Sequence, residues 1–129
     1  MIPKFRAYDS GSLSRMYQPD EVMVGDGNIW IIDEDSVAGD WIVNNDLNLM
    51  QSTGGHDKNG KEIFEGDIVD YKGRKAIIKW HGSYASFIYR FVDELQERKS
   101  EWKPLYLAYY KFEVVGNVHE NKELLEVEE

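Results

Sequence analysis

Four glycines, Gly60, Gly66, Gly73 and Gly82, divide the middle of the chain into short segments. The segments after Gly66 read DIVDYK, KAIIKWH and SYASFIYRF, and they are rich in β-branched and aromatic residues. Runs of this kind, joined by very short glycine-containing connections, favour an antiparallel meander. The glycine spacing therefore predicts a compact antiparallel assembly with its aromatic rings inside.

Residue alternation assigns the faces of the last two runs, because successive side chains of a strand point to opposite sides. One face is expected to carry the apolar residues Ala76, Ile78, Trp80, Ala85, Phe87, Tyr89 and Phe91. The opposite face is expected to carry Lys75, Lys79, Ser86 and Arg90. One side of the sheet should thus form the core, and the other should be wetter.

The regions flanking the meander give weaker patterns. KFRAYD, GS and LSRMY read as strand, turn and return strand, whereas VGDGN and DEDSVAGDW read as acidic loops. NIWIID is apolar at successive positions, which predicts a buried strand covered on both sides. We therefore expect a first group of strands before residue 50.

Towards the C-terminus, residues 92–103 are compatible with a short helix, and LYLAYYKFEVVGNVHE is read as strand with a bulge or bend at Gly116. Asn121 is expected to cap a short helix in KELLEVEE. The predicted fold is mainly β and antiparallel, with a barrel-like core (SH3-like or a partly open barrel) and short helical segments, one of them near the C-terminus.

The chain has 129 residues, of which 42% are apolar, so it can bury a core and is expected to form one domain over residues 1–129. It has no cysteine, which excludes disulfides and thiolate chemistry. Neither a signal-peptide core nor an apolar run of about 18 residues is present, so we expect a cytoplasmic protein without membrane contact.

The net charge of −9 is unevenly distributed. Residues 1–60 contain four basic and ten acidic side chains, residues 61–112 ten basic and eight acidic, and residues 113–129 one basic and six acidic. Duplex DNA would be repelled by the chain as a whole, and only the middle section could attract nucleic acid.

The segment GGHDKNGKEIF contains the spacing of a phosphate-binding loop, G-x-x-x-x-G-K. Such a loop needs Ser or Thr after the lysine and a helix behind it, but Glu62 follows Lys61 and Gly66 interrupts any helix. A calcium loop is equally mismatched, because Lys61 and Ile68 stand where oxygen ligands belong. The segment is therefore interpreted as a tight turn at Asn59-Gly60, within a structural block that includes Gly66 and Asp67.

Three blocks of the chain resemble the YopX family of small phage and prophage proteins. They are Lys4 to Asp9, Leu49 to Val69 and Val114 to Glu126, in family order. The chain departs from the family pattern at Ser52, where an aromatic residue is commoner, and at Lys122, where proline is common. The resemblance implies a mainly β, barrel-like fold encoded by phage or prophage, in a bacterial host cell, and brings no assigned activity and no catalytic residues.

The sequence gives little support for a metal site or for a catalytic site. His56, His81 and His119 lack metal-binding spacing, and no nucleophile elbow, zinc-protease motif or dinucleotide fingerprint is present. The acidic stretch DEDSVAGD is interpreted as a solvated loop rather than a carboxylate pair for hydrolysis. We therefore expect no enzyme, no cofactor and no metal site.

The segment YKGRKAIIKWHGSY is the one positive signal for binding. Its basic residues Lys72, Arg74, Lys75 and Lys79 alternate with aromatics such as Trp80, so they are candidate contacts to nucleic acid or to a partner. The competing interpretation is that the aromatics enter the core while the lysines keep a sheet edge soluble.

The leading functional hypothesis is a phage-encoded, non-catalytic module that binds a host or phage protein, or a second copy of itself. Its acidic flanks suit a basic protein surface, and a mimic of DNA is a variant of this idea. The alternative is a nucleic-acid-binding small barrel that uses the basic hairpin 71–84.

Overall fold

The computed structural model describes residues 4–11, 13–33, 35–96 and 102–125. Within these residues the chain forms twelve strands, one α-helix and several 3₁₀ turns. In chain order the strands are β1 Phe5–Asp9, β2 Arg15–Tyr17, β3 Val22–Gly25, β4 Asn28–Ile32, β5 Trp41–Val43, β6 Asn48–His56, β7 Glu62–Phe64, β8 Asp67–Tyr71, β9 Arg74–His81, β10 Ser86–Phe91, β11 Lys103–Pro104 and β12 Glu113–Asn117. The predicted mainly β, antiparallel fold is confirmed.

The chain divides into two compact units, residues 1–52 and residues 53–129. In the first unit, β1 pairs with β2 and with the first half of β6, and β3, β4 and β5 form a separate antiparallel sheet. Its core contains Ala7, Tyr17, Ile31 and Leu47. The predicted hairpin of KFRAYD and LSRMY corresponds to β1 and β2 and is confirmed.

The second unit contains β7 and a five-stranded antiparallel sheet in the order β11-β10-β9-β8-β12, which curls into half a barrel. The meander β8-β9-β10 agrees with the glycine spacing. Its first turn, Lys72-Gly73, has positive φ at both residues (52° and 88°), which is the type I′ geometry that matches the twist of a two-residue hairpin.

The opposite face of the meander is not uniformly wetter as predicted, since Ile77 and Ile88 are buried there. The core cluster of the second unit nevertheless lies on the face predicted from the alternation. It is built from the buried side chains of Ile63, Val69, Ala76, Ile78, Phe91, Leu105, Ala108 and Phe112. Gly116 lies at a register shift of β12 against β8, so the predicted bulge is confirmed. That residues 1–129 form a single domain stays a prediction.

Four local predictions differ from the structure, in whole or in part. The helix predicted for residues 92–103 is present at its start as α1 Val92–Gln96, but Lys103 at its end belongs to a strand, Lys103–Pro104, that pairs with β10. Residues 97–101 lie outside the described residues. Residues before Phe112 were expected to be strand, but Leu105–Leu107 and Tyr109–Lys111 form 3₁₀ turns. These turns arise because the Ala108 and Lys111 amides donate to carbonyls three residues back.

The third error concerns NIWIID, which corresponds to β4. Only Ile31 is buried in this strand, while Trp30 and Ile32 are half-buried on the other face. At the C-terminus, the segment after Asn121 begins as a 3₁₀ turn, Lys122–Leu125, rather than an α-helix. The Asn121 side chain accepts a hydrogen bond from the Asn117 amide at 3.1 Å, and so turns back toward β12.

Candidate functional site

The turn at Asn59-Gly60 is closed by the carboxylate of Asp57. Asp57 Oδ1 accepts hydrogen bonds from the amides of Asn59 (2.9 Å) and Lys61 (2.8 Å), while Gly60 takes a φ of 82°. The amides that a phosphate would require are therefore already bound to a side chain of the protein. The sequence interpretation of this segment as a turn is confirmed.

The second oxygen of Asp57 fastens this turn to β12. Asp57 Oδ2 accepts the Val114 amide at 2.8 Å, and Asp57 is almost completely buried. Burial alone would raise the pKa of Asp57, but the hydrogen bonds from the Val114, Lys61 and Asn59 amides outweigh it and lower the pKa below its ordinary value. Asp57 stays ionised as a structural anion.

Gly66 and Asp67 also serve the fold. Gly66 has a φ of 87°, donates its amide to the Ile78 carbonyl and accepts the Val118 amide. Asp67 is buried, and its Oδ2 accepts the Phe64 amide at 2.7 Å. Both residues therefore hold the entry of β8 in place.

The C-terminal block has the same character. Asn117 Oδ1 accepts the amides of His119 and Glu120, which closes the turn after β12. In the middle and C-terminal blocks, the side chains of Asp57, Asp67 and Asn117 thus bind the protein's own main chain. These residues stabilise the fold.

The predicted basic hairpin is divided between two faces of its sheet. Arg74 shares the core face with Ala76 and Ile78, whereas Lys75 and Lys79 lie on the opposite face. β9 is the middle strand of the five-stranded sheet, so these lysines do not protect a sheet edge, and that interpretation is wrong. The structure brings Lys72 and Arg74 into one cleft and leaves Lys75 and Lys79 away from it.

Trp80 lies at the end of the core face and is 45% exposed. Its ring packs edge-on against Phe87, with the centroids 5.0 Å apart. The expectation that the hairpin aromatics enter the core therefore fails for Trp80 and for the exposed Tyr84. A role for these residues in binding stays a prediction.

The second unit also has a groove of about 460 Å³ that contains both His56 and Ser86. A serine nucleophile needs a base within hydrogen-bonding distance. Ser86 Oγ instead donates to the Phe87 carbonyl at 3.3 Å, and no hydrogen bond joins Ser86 to His56. The groove walls are mostly aromatic and glycine residues, including Tyr106 and Tyr109.

The sheet β3-β4-β5 of the first unit exposes several large apolar side chains. The strand register places five side chains on one face, which we call the open face: Met23, Trp30, Ile32, Trp41 and Val43. Met23, Trp41 and Val43 are 49%, 38% and 44% exposed. The opposite face contributes Val22, Ile29 and Ile31 to the core. It also carries Val24 and Ile42 on the outer strands, which are 41% and 43% exposed.

A sheet packed on one side normally presents polar residues on the other. Here both faces are apolar, and the turns beside the open face are acidic, with Asp26 between β3 and β4 and Asp33, Asp35 and Asp40 between β4 and β5. Sequence alternation could not separate this arrangement from a strand covered on both sides, because both give a continuous apolar run. The sequence pattern does not predict strand β5, whose first residue, Trp41, ends the stretch interpreted as an acidic loop.

Two further features concern only the described part of the chain. No three histidine or carboxylate side chains there cluster as a metal site would require. None of its helices has the length and apolar character needed to cross a membrane.

Comparison with known proteins supports the fold and leaves the activity open. The crystal structure of protein EF1440 from Enterococcus faecalis matches with 30% identity and a TM-score of 0.60, over 98% of this chain and 99% of that chain. The crystal structure of yopX from Bacillus subtilis matches with 19% identity and a TM-score of 0.56, over 98% of both chains. No functionally curated protein matches the chain. The model of the YopX protein family matches residues 4–126, and the chain therefore belongs to the YopX family.

Proposed function

We propose that this protein is a non-catalytic, phage- or prophage-encoded module that binds another protein through the open face. The observation that supports this function is the two-sided apolar character of the β3-β4-β5 sheet. Contiguous apolar patches on one face of a soluble protein mark interaction surfaces. Tryptophan and methionine, both present here, are enriched at the centres of such interfaces.

The charge around the open face defines the partner. The adjoining turns supply Asp26, Asp33, Asp35 and Asp40, and residues 1–60 carry an excess of six acidic side chains over basic ones. A two-fold dimer through this face would bring two acidic rims together, which like-charge repulsion disfavours. We therefore assign the face to a different protein, one with an apolar centre and a basic rim.

Site-specific photocrosslinking in bacterial cells tests this proposal. A photoreactive amino acid at Met23 or Val43 should give an adduct with a second protein species, and this adduct should survive nuclease treatment. The matched control places the same group at Asp20, which is exposed in the same unit but lies outside the open face. Equal adducts at Asp20, no protein adduct at Met23 and Val43, or an adduct only with a second copy of this chain would refute the assignment.

Salt dependence provides a second readout. Attraction between an acidic rim and a basic partner is screened at an ionic strength of about 1 M, where the Debye length falls to roughly 3 Å. We expect the adduct yield at Val43 in lysate to fall as salt rises. An adduct yield that rises with salt would identify a purely apolar contact and remove the basic partner from the proposal.

A further inference from the structure

A second cleft lies wholly within the second unit and has a volume of about 370 Å³. Four cationic side chains line it: Lys72, Arg74, Lys103 and Lys111. Sites for small ligands generally occupy about 300–1,000 Å³, so this cleft is large enough for one small molecule. The concentration of positive charge stands out in a chain of net charge −9.

Two of the four cations already have partners. Arg74 Nε and Nη2 donate to the two carboxylate oxygens of Asp93 at 3.1 and 2.9 Å, and Lys103 Nζ lies 3.7 Å from Glu94 Oε1. Both side chains also lie over the ring of Phe91. Their charges are therefore largely compensated within the protein.

Lys72 and Lys111 also lie near rings, with Nζ 5.4 Å from the Tyr71 centroid and 5.6 Å from the Tyr110 centroid, but they differ from this pair in having no carboxylate partner among the described residues. Both are exposed, and neither ammonium group forms an ion pair with a carboxylate of the described residues. The carboxylates at the opposite end of the cleft are bound to Arg74 and Lys103. Two uncompensated positive charges thus remain at the cleft, and they favour an anion.

Three aromatic residues, Tyr71, Tyr89 and Phe112, form one wall of the cleft, and they set a second chemical requirement for the ligand. The ring of buried Phe112 lies edge-on to Tyr89, with centroids 4.9 Å apart, and to Tyr71, at 6.1 Å. Tyr71 and Tyr89 are only half-buried, and neither hydroxyl forms a hydrogen bond with another described residue. Burial, helped by Glu94 and Tyr71, raises the pKa of Tyr89, so its hydroxyl stays protonated at neutral pH. The wall offers ring surface together with free hydroxyl groups.

The geometry points to a cleft for one nucleotide, with the phosphate held by Lys72 and Lys111 and the base packed against Tyr71 and Tyr89. A planar ring with polar edges suits both the ring surface and the free hydroxyls, which a simple anion or an unsubstituted aromatic ring would not use. The nucleotide is either free or part of a single strand. Duplex DNA does not fit, because its bases are stacked and paired inside the helix.

This inference is independent of the protein-binding proposal, which concerns the first unit. It also changes the sequence hypothesis of a nucleic-acid-binding hairpin 71–84. Of the predicted contacts Lys72, Arg74, Lys75, Lys79 and Trp80, only Lys72 and Arg74 line the cleft. Lys103 and Lys111, which lie outside the hairpin, replace the other cations.

The test is a titration of the full chain, labelled with ¹⁵N, at low salt and followed by nuclear magnetic resonance. The probes are adenosine and thymidine 5′-monophosphates, an oligothymidylate and inorganic phosphate. Lys72→Gln with Lys111→Gln should weaken binding of the nucleotide probes by at least about tenfold, because charge-assisted contacts to phosphate are lost. The matched control, Lys75→Gln with Lys79→Gln, removes two cations from the opposite face and should change binding by less than about twofold.

Each outcome decides the inference. Binding of mononucleotides with this pattern supports it with a free nucleotide as ligand, and binding of the oligonucleotide alone supports it with a single strand. An equal loss in the control variant would show general attraction to a basic sheet and overturn the cleft. Inorganic phosphate that binds as tightly as the nucleotides would overturn the role of the base, and no binding by any probe would end the inference.

Discussion

The main chain at Gly116 lies so close to Asn121 that a Cβ atom at position 116 would stand 2.5 Å from Asn121 Oδ1. Real side chains do not tolerate that distance, so Asn121 would have to move. Asn121 cannot move freely, because its Oδ1 accepts the Asn117 amide. Gly116 therefore has a steric role beside its place in the β12 bulge.

Gly116→Ala should destabilise the protein by about 1–3 kcal/mol, the usual effect of overpacking. Urea denaturation followed by circular dichroism measures this. Gly82→Ala is the matched control, since a Cβ at position 82 meets nothing within 4 Å, and it should leave the midpoint nearly unchanged. Asn121→Gly added to Gly116→Ala should restore part of the loss; if it restores nothing, the contact with Asn121 is not the cause.

Asp57→Asn should destabilise the folded state at pH 7 by about 1–3 kcal/mol, because one of three buried charge-assisted hydrogen bonds loses its acceptor and the anion is removed. The pKa of Asp57 is lowered on folding, so its stabilisation is complete above the ordinary value of 3.8 and is lost as the pH falls through the lower folded value. Denaturation of both proteins between pH 7 and pH 2.5 should therefore show curves that converge in acid. A constant gap between the two curves over this pH range would contradict the assignment.

The meander was predictable from the sequence because its determinants are local. Gly73 permits the positive φ of the β8-β9 turn, and the apolar residues Ala76, Ile78 and Trp80 at every second position indicate the core face. The bulge at Gly116 also has a local signature. These features depend on residues within a few positions of one another.

Other features depend on contacts that are distant in sequence. The carboxylate of Asp57 accepts a hydrogen bond from the Val114 amide, and no local sequence pattern predicts that hydrogen bond. The 3₁₀ turns before β12 are indicated by the sequence. The buried residues Leu105, Ala108 and Phe112 follow a three- and four-residue spacing, which is typical of helical turns rather than of strand alternation. The cations of the cleft come from two separate stretches of the second unit, residues 72–74 and 103–111, so the hairpin alone could supply only two of them.

Ile31→Ala should destabilise the protein by about 2–5 kcal/mol, because Ile31 is buried in the core of the first unit. Met23→Ala, on the open face of the same sheet, should stay within about 0.5 kcal/mol. Thermal and urea denaturation of the two variants measure the difference. Equal losses would mean that the open face is covered in the isolated protein, and its proposed role in binding a partner would fall.

Arg74 and Asp93 form a bidentate ion pair in which both side chains are nearly half exposed, 46% and 48%. A double-mutant cycle with Arg74→Gln and Asp93→Asn should give a coupling free energy of about 0.3–1 kcal/mol, since solvent screens exposed pairs. Hydrogen bonding to Arg74 lowers the pKa of Asp93, so the coupling should be present above the ordinary carboxyl value of 3.8 and vanish as the pH falls through the lower folded value.

Salt separates this ion pair from the packing of Arg74 on Phe91, whose ring centroid lies 3.7 Å from the guanidinium carbon. In about 1 M salt the coupling between Arg74 and Asp93 should shrink towards zero. The Debye length is then roughly 3 Å, so salt screens even charges as close as this pair, which is separated by 2.9 Å. The loss caused by Arg74→Gln alone should persist in part, since contact with the ring does not depend on ionic strength to the same degree. If the single-variant loss also disappears in salt, the ring contact contributes nothing, and Arg74 is held at the cleft only by its ion pairs with Asp93 and Glu94.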